Sequence, residues 1–264
     1  MDLKLEDKVA LVTGSTLGLG FATIKKLIEE NCTVYLNGRS KEGVQKAISR
    51  IKEDFPKANI NGIIADLSSK KGCEKLVQEL PKVDILINNL GIFEPVEFEK
   101  ITEDQWLEMF HTNVMSGARL SQHYFPKMIE QDFGRIIFIS SESAYQIPKE
   151  MIHYGMTKTA QLSLARGIAE LTKGTKVTSN SIILGPSNSE GVTTFLSDYA
   201  NSLGITFEEM EKQFFNEVRP TSLLQRFTDV EEVANLIVYT ASPISSATNG
   251  AVLRADAGVV QAAI

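Results

Sequence analysis

Cysteine is nearly absent from the 264-residue chain: Cys32 and Cys73 stand alone, with no C-x-x-C pair. Two isolated thiols make no disulfide framework and point to a reducing compartment. Histidine is equally scarce. His111, His123 and His153 form no ligand-spaced group with cysteine or acids, so no metal site is expected. Basic runs are missing too: no stretch of Lys or Arg exceeds two, and 27 basic against 33 acidic residues leave a net charge of −6. A phosphate backbone or an anionic bilayer needs the opposite surface, which argues against nucleic acid and membrane as partners. No apolar run reaches the roughly 18 residues of a membrane span. Residues 1–8 are too charged for the apolar core of a signal peptide, so a cytoplasmic protein is expected. The 8 prolines and 18 glycines are scattered, no linker divides the chain, and no repeat is visible. A single domain over 1–264 is expected, long enough to bury a core without staples.

What is present is an alternation. Short runs rich in Val and Ile occupy 9–12, 33–36, 60–64, 83–87, 135–139, 177–183 and 251–254. Amphipathic stretches fill 19–30, 41–53, 70–79, 103–131, 153–172 and 229–240. Short strands alternating with longer helices predict βαβ units, and near-continuous apolar strands predict a sheet covered on both sides. The fold class is α/β: one doubly wound Rossmann-type domain, with about seven parallel strands and helices on both faces. The stretch 187–228 breaks the alternation and is expected to be a helical substrate lid. Its Phe195, Tyr199, Phe207, Phe214 and Phe215 either form an apolar wall or pack on one another. Its Arg219 and Arg226 either receive an anionic substrate or pair with Glu211, Glu217 or Asp229.

The first strand runs into Thr13-Gly14-Ser15-Thr16-Leu17-Gly18-Leu19-Gly20, and a helix follows. Glycines in a loop are often mere punctuation. Between a strand and a helix they allow a tight turn, close approach of backbone to a pyrophosphate, and close helix packing. The helix N–H groups then meet the phosphate.

Tyr-x-x-x-Lys occurs twice, as Tyr145/Lys149 and Tyr154/Lys158. Pro148 lies inside the first pair and argues against a helix there. The second pair opens a long helix, one turn apart on one face. Tyr154 is therefore the proton-transfer candidate, and Tyr145 is expected to be a packed aromatic or a pocket wall. An unperturbed phenol, near pKa 10, relays protons poorly at neutral pH. Lowering it by about 3 units needs roughly 4 kcal/mol. An ammonium about 4–5 Å away supplies most of that at an effective dielectric near 20. Lys158 is expected to do so, with Ser141 hydrogen-bonding the substrate oxygen.

The G-x-x-x-G-x-G spacing, Asn88-Asn89-Leu90-Gly91 after the fourth strand, Asn113 in the long helix, Ser141 after the fifth strand and Tyr154/Lys158 follow one another in order. The chain in this respect resembles the short-chain dehydrogenase/reductase family over about 6–260, and within it the 3-oxoacyl carrier-protein reductases. No carrier-protein docking patch is legible. The resemblance implies a catalytic set of Asn113, Ser141, Tyr154 and Lys158, with Lys158 also holding the nicotinamide ribose and Asn113 fixing a water that relays protons to it. It further implies cofactor contacts from Gly14, Ser15, Thr16, Gly18, Leu19, Gly20, Asp66 (near the adenine), Leu67, Asn89, Gly91, Gly185, Ser187 and Ser189. Alternatively, Asp66 caps the following helix. A cofactor half over about 6–140, a catalytic and substrate half over about 141–264, and a homotetramer, or a dimer, through the helices at 103–131 and 153–172 are implied as well.

Three positions depart from the family pattern: Leu90 stands where Ala is usual, Leu184-Gly185-Pro186 replaces Pro-Gly, and Asp256-Ala257-Gly258 replaces Asp-Gly-Gly. The second strand ends Tyr35-Leu36-Asn37-Gly38-Arg39-Ser40, with no acid for a ribose 2′-OH. Arg39, helped by Ser40, suits a 2′-phosphate, so NADP(H) is favoured over NAD(H). The function expected is an NADP(H)-dependent oxidoreductase acting on a small carbonyl or alcohol substrate, with Tyr154 as general acid/base. An NAD-linked sugar or polyol dehydrogenase is the alternative, and a non-catalytic nucleotide-binding regulator a lesser one.

Overall fold

Residues 1–263 are described by a computed structural model, apart from the side chains of residues 191, 192, 195, 199 and 201. The strands are β1 (Val9–Val12), β2 (Thr33–Gly38), β3 (Ile60–Ile64), β4 (Ile85–Asn88), β5 (Gly134–Ser141), β6 (Val177–Leu184), β7 (Ser187–Asn188), β8 (Thr228–Asp229) and β9 (Val252–Ala255). The helices are α1 (Gly18–Glu29), α2 (Lys41–Asp54), α3 (Lys70–Glu79), α4 (Glu103–Phe110), α5 (Ser116–Glu130), α6 (Ile152–Glu170), α7 (Glu190–Leu203), α8 (Phe207–Glu217) and α9 (Val230–Ala241).

Seven strands form one parallel sheet in the order β3-β2-β1-β4-β5-β6-β9. Parallel neighbours need crossovers, and the helices between the apolar runs supply them on both faces. One core holds Ile24, Leu27, Val44, Ile51, Val233 and Ile237 from α1, α2 and α9. The other holds Leu76, Leu120, Tyr124, Met128 and Ala165 from α3, α5 and α6. Every residue of β4 and β5 is buried, as a doubly covered sheet requires. Cys32 lies in the first core and Cys73 in the second, so the two thiols cannot meet. Burial pushes the Cys32 thiol up to about 12, which makes it inert.

The chain winds outward through β2 and β3, then returns to place β4 on the other side of β1. That reversal opens a crevice at the carboxyl ends of β1 and β4, where ligands of such sheets bind. The glycine turn follows β1 there, and Asn89-Leu90-Gly91 follows β4.

One segment differs from expectation. The stretch 103–131 is not one continuous α-helix: α4, opened by a Thr102/Gln105 capping box, passes through a π turn at His111–Met115 before α5 begins. The wider turn places Asn113, 1% exposed, toward the site. The stretch 187–228 is helical, as expected, with α7 and α8 bracketed by the two-residue parallel pair β7–β8. Phe214 and Phe215 pack on each other and on Phe227, with centroids 5.0–5.2 Å apart, and Phe207 lies 6.3 Å from Phe227, so these aromatics form a small core of their own. Phe195 and Tyr199 lie outside the described side chains.

Candidate active site

Gly14 and Gly18 both adopt φ of +59°, the left-handed region that a side chain makes costly. A Cβ on Gly20 would lie 2.6 Å from Asn89 Nδ2 and 2.8 Å from the Gly14 carbonyl. The turn is therefore a tight cradle that only these glycines fit. Leu17 precedes α1 without a side-chain cap, and the first turn carries no acid, which leaves its N–H groups for an anion. Nucleotide pyrophosphate fits this arrangement.

Two side chains the sequence did not single out, Asn37 and Thr13, hold the cradle together with Asn89. Buried Asn37 accepts the Gly14 N–H at 3.2 Å and donates to the Ile63 and Ala65 carbonyls, each at 3.2 Å. Thr13 Oγ1 accepts the N–H groups of Asn89 and Leu90, both at 3.0 Å. Asn89 Nδ2 donates back to the Thr13 and Gly14 carbonyls at 2.9 and 3.0 Å. Leu90 fits because Gly14 lacks a Cβ, which would stand 3.1 Å from the Leu90 Cα.

Several expected cofactor contacts have other work. The Ser15 hydroxyl is fully buried, donating to the Val12 carbonyl at 2.7 Å and accepting the Asn37 N–H. Ser187 Oγ hydrogen-bonds Thr228 Oγ1 at 2.8 Å and ties β7 to β8. Leu67 is a core residue. Ser40 Oγ caps α2 through the Gly43 N–H at 3.1 Å. These four can offer a cofactor backbone groups or packing more readily than free side chains. Asp66 is exposed and accepts from Ser68, and the cap of α3 is Ser69. Thr16 packs over Gly38, where a Cβ would meet its Cγ2 at 2.5 Å, and Leu19 packs partly buried against the first core. Ser189 lies against the turn, its Cβ 3.2 Å from where Gly18 would carry one. Gly185 leaves room for the Asp256 carbonyl, 2.6 Å from its Cβ position. Arg39 is exposed directly after β2.

The catalytic candidates converge at the ends of β4, β5 and α6. Asn113 accepts the Ile92 N–H at 2.8 Å and donates to Thr157 Oγ1 at 3.0 Å, while its carbonyl receives Gln161 Nε2 at 2.7 Å. A Cβ on Gly91 would touch Lys158 Nζ at 3.3 Å and Asn113 Oδ1 at 3.6 Å, so the three are neighbours. Lys158 is buried, donates to the Ile139 carbonyl at 3.0 Å and lies 5.5 Å from the Tyr154 ring centre. Tyr154 is half-buried, with Phe93 edge-on at 6.1 Å.

The electrostatics correct one expectation. Burial lowers Lys158 itself to about 8, so its ammonium is a weaker fixed charge than an exposed lysine's. Burial also raises the Tyr154 phenol, and the hydrogen bond from Ser141 opposes that rise. Lys158 alone therefore does not bring this phenol toward neutrality; a cationic nicotinamide would have to add to it.

Glu142, unremarked in the sequence, sits beside this group and is buried. Its Oε2 accepts Ser141 Oγ–H at 2.8 Å, and its Oε1 accepts Arg219 Nε–H at 2.6 Å. Arg219 thus pairs with an acid other than those expected. Arg226 forms a two-point pair with Glu232 at 2.8 and 2.9 Å. Tyr145 is 44% exposed, which overturns its reading as a packed aromatic. Among the described residues no cluster suits a metal ion, and no helix is long and apolar enough to cross a membrane.

A family model described as short chain dehydrogenase matches residues 8–200. The chain is 46% identical over 261 residues to the uncharacterised oxidoreductase YvaG of Bacillus subtilis, covering 99% of each. It is 30% identical to the 3-oxoacyl-[acyl-carrier-protein] reductase FabG of Aquifex aeolicus, covering 98% of this chain and 100% of the other. Its fold superposes with a TM-score of 0.93 on L-sorbose reductase from Gluconobacter frateurii, complexed with NADPH and L-sorbose, at 23% identity over 99% of this chain and 100% of that one.

Proposed function

This chain belongs to the short-chain dehydrogenase/reductase family, and from that premise we propose that it is an NADP(H)-dependent oxidoreductase interconverting a carbonyl compound and a secondary alcohol. The end of β2 carries the cofactor choice: Arg39 is exposed there, and no acid stands from Tyr35 to Ser40 to receive a ribose 2′-OH. The bound nicotinamide supplies or accepts the hydride. Gly14, Gly18 and Gly20 with the start of α1 hold the pyrophosphate, and Lys158, beside Gly91, is placed to hold a ribose. Tyr154 gives a proton to the substrate oxygen in reduction and removes it in oxidation, with Ser141 orienting that oxygen. Both lid arginines are held by acids, which supports an uncharged substrate over an anionic one. The likeness to L-sorbose reductase bears on the fold alone and assigns no sugar substrate.

The reading extends to a homotetramer working in the cytoplasm. Supporting it are Leu107 on α4 and Leu171 just beyond α6, 47% and 66% exposed on the expected assembly helices, and the two free, buried cysteines.

Fluorescence titration with NADPH and with NADH at fixed ionic strength tests the cofactor choice. Tighter binding of NADPH by tenfold or more, about 1.4 kcal/mol, is expected, and Arg39→Ala should erase the difference. Equal or tighter NADH binding overturns the Arg39–phosphate contact and turns the search to NAD-linked alcohol and polyol oxidation.

A further inference from the structure

We propose that Phe93, Tyr145 and Ile147 form an apolar rim that selects the substrate. The class it fits is a ketone or secondary alcohol with an aryl or branched alkyl group beside the reacting carbon, and not a sugar or polyol. The proposal rests on the catalytic reading above and adds the substrate class, which that reading leaves open.

Two segments bring the three side chains to the catalytic group. Phe93 lies two residues beyond Gly91, and its ring stands edge-on to the Tyr154 ring at 6.1 Å. Tyr145 comes four residues after Ser141, its N–H donating to the Glu142 carbonyl at 3.0 Å. Ile147 packs over the start of α6: a Cβ on Gly155, the residue after Tyr154, would meet its Cγ2 at 2.6 Å. The Val96 N–H donates to the Glu150 carbonyl at 2.9 Å. That bond ties the segment after β4 to the segment between β5 and α6.

Phe93 is 60% exposed, Ile147 49% and Tyr145 44%. Apolar side chains left uncovered beside a reacting group gain when an apolar ligand displaces their water. Small-molecule sites are walled in this way, with a few polar groups to fix orientation. The charged groups flanking the rim are already engaged. Glu142, next to Ser141, is buried and accepts Ser141 Oγ–H and Arg219 Nε–H. Glu94, next to Phe93, accepts Gln105 Nε2–H at 3.1 Å. A polyol brings several hydroxyls, and each loses water on entry and needs a partner in return. Of the three rim side chains only Tyr145 can supply one. An aryl or branched alkyl group needs none and is covered by the rings.

The test is calorimetric titration of the NADPH-bound protein, in which an alcohol forms a dead-end complex and no hydride moves. 1-Phenylethanol and sorbitol are titrated in parallel, and 1-phenylethanol should bind at least tenfold tighter. Phe93→Ser and Tyr145→Ser should each weaken its binding by about fivefold or more. Phe93→Leu, which keeps an apolar body, should retain most of it. Both positions are exposed, so the variants should keep the Tm and the NADPH affinity of the parent protein. Sorbitol binding as tightly as 1-phenylethanol, no saturable binding of 1-phenylethanol, or serine variants that bind it unchanged overturn the proposal. A parallel loss of NADPH affinity overturns it too, since the rim would then be structural. The catalytic reading is judged separately, and falls if Tyr154→Phe retains full turnover.

Discussion

At the residue scale, the clearest tension is Lys158, a lysine folded into a dry site with one carbonyl for a partner. Burial brings it to about 8, against about 10.4 in an unfolded chain. Between those values the unfolded chain binds more protons, so stability rises with pH; below about 8 the penalty is present in full. The shift corresponds to about 3 kcal/mol at most. Lys158→Met should therefore raise Tm at pH 7, flatten the dependence of Tm on pH between 8 and 10, and abolish turnover. Thermal melts across that range with parallel activity assays check it; a lower Tm at pH 7 would show that the lysine stabilises the fold. Tyr154→Phe should leave NADPH binding within twofold and reduce turnover by about 10²–10⁴-fold, measured against a panel of ketones.

At the element scale, the crevice depends on how closely α1, the glycine turn and the segment after β4 approach. A methyl at Gly20 would meet Asn89 and the Gly14 carbonyl at under 3 Å, and Asn89 is the side chain that joins the two turns. Gly20→Ala should cost about 1–3 kcal/mol of stability and weaken NADPH binding by tenfold or more. Denaturant unfolding and the fluorescence titration measure the two effects separately. The π turn between α4 and α5 was not legible, because one wider turn barely changes the apolar period of a long helix. The lid aromatics were open to two readings; only the packing of α7 and α8 against Phe227 decides that Phe214 and Phe215 face inward.

At the scale of the whole molecule, a tetramer predicts a mass in solution of four times 29.1 kDa. Sedimentation equilibrium at micromolar concentration measures it directly, and a monomer there overturns the assembly. Replacing Leu107 on α4 with Arg should then shift the population toward smaller species, since a charge would enter the apolar contact.

The sequence by itself determined the alternation of strands and helices, the parallel sheet, the glycine cradle and the Tyr154–Lys158 face. Each of these depends on residues close together in the chain: an apolar run, a glycine spacing, one helical turn. The bracing of the cradle by Thr13 and Asn37 depends on hydrogen bonds between the turn after β1, β2, the residues after β4 and the end of β3. The Glu142–Arg219 pair joins residues 77 positions apart. Contacts of that kind leave no local period or spacing to read. Only the folded chain decided them, and it decided as well how dry the site is, and so how far Lys158 and Tyr154 depart from their ordinary ionisation.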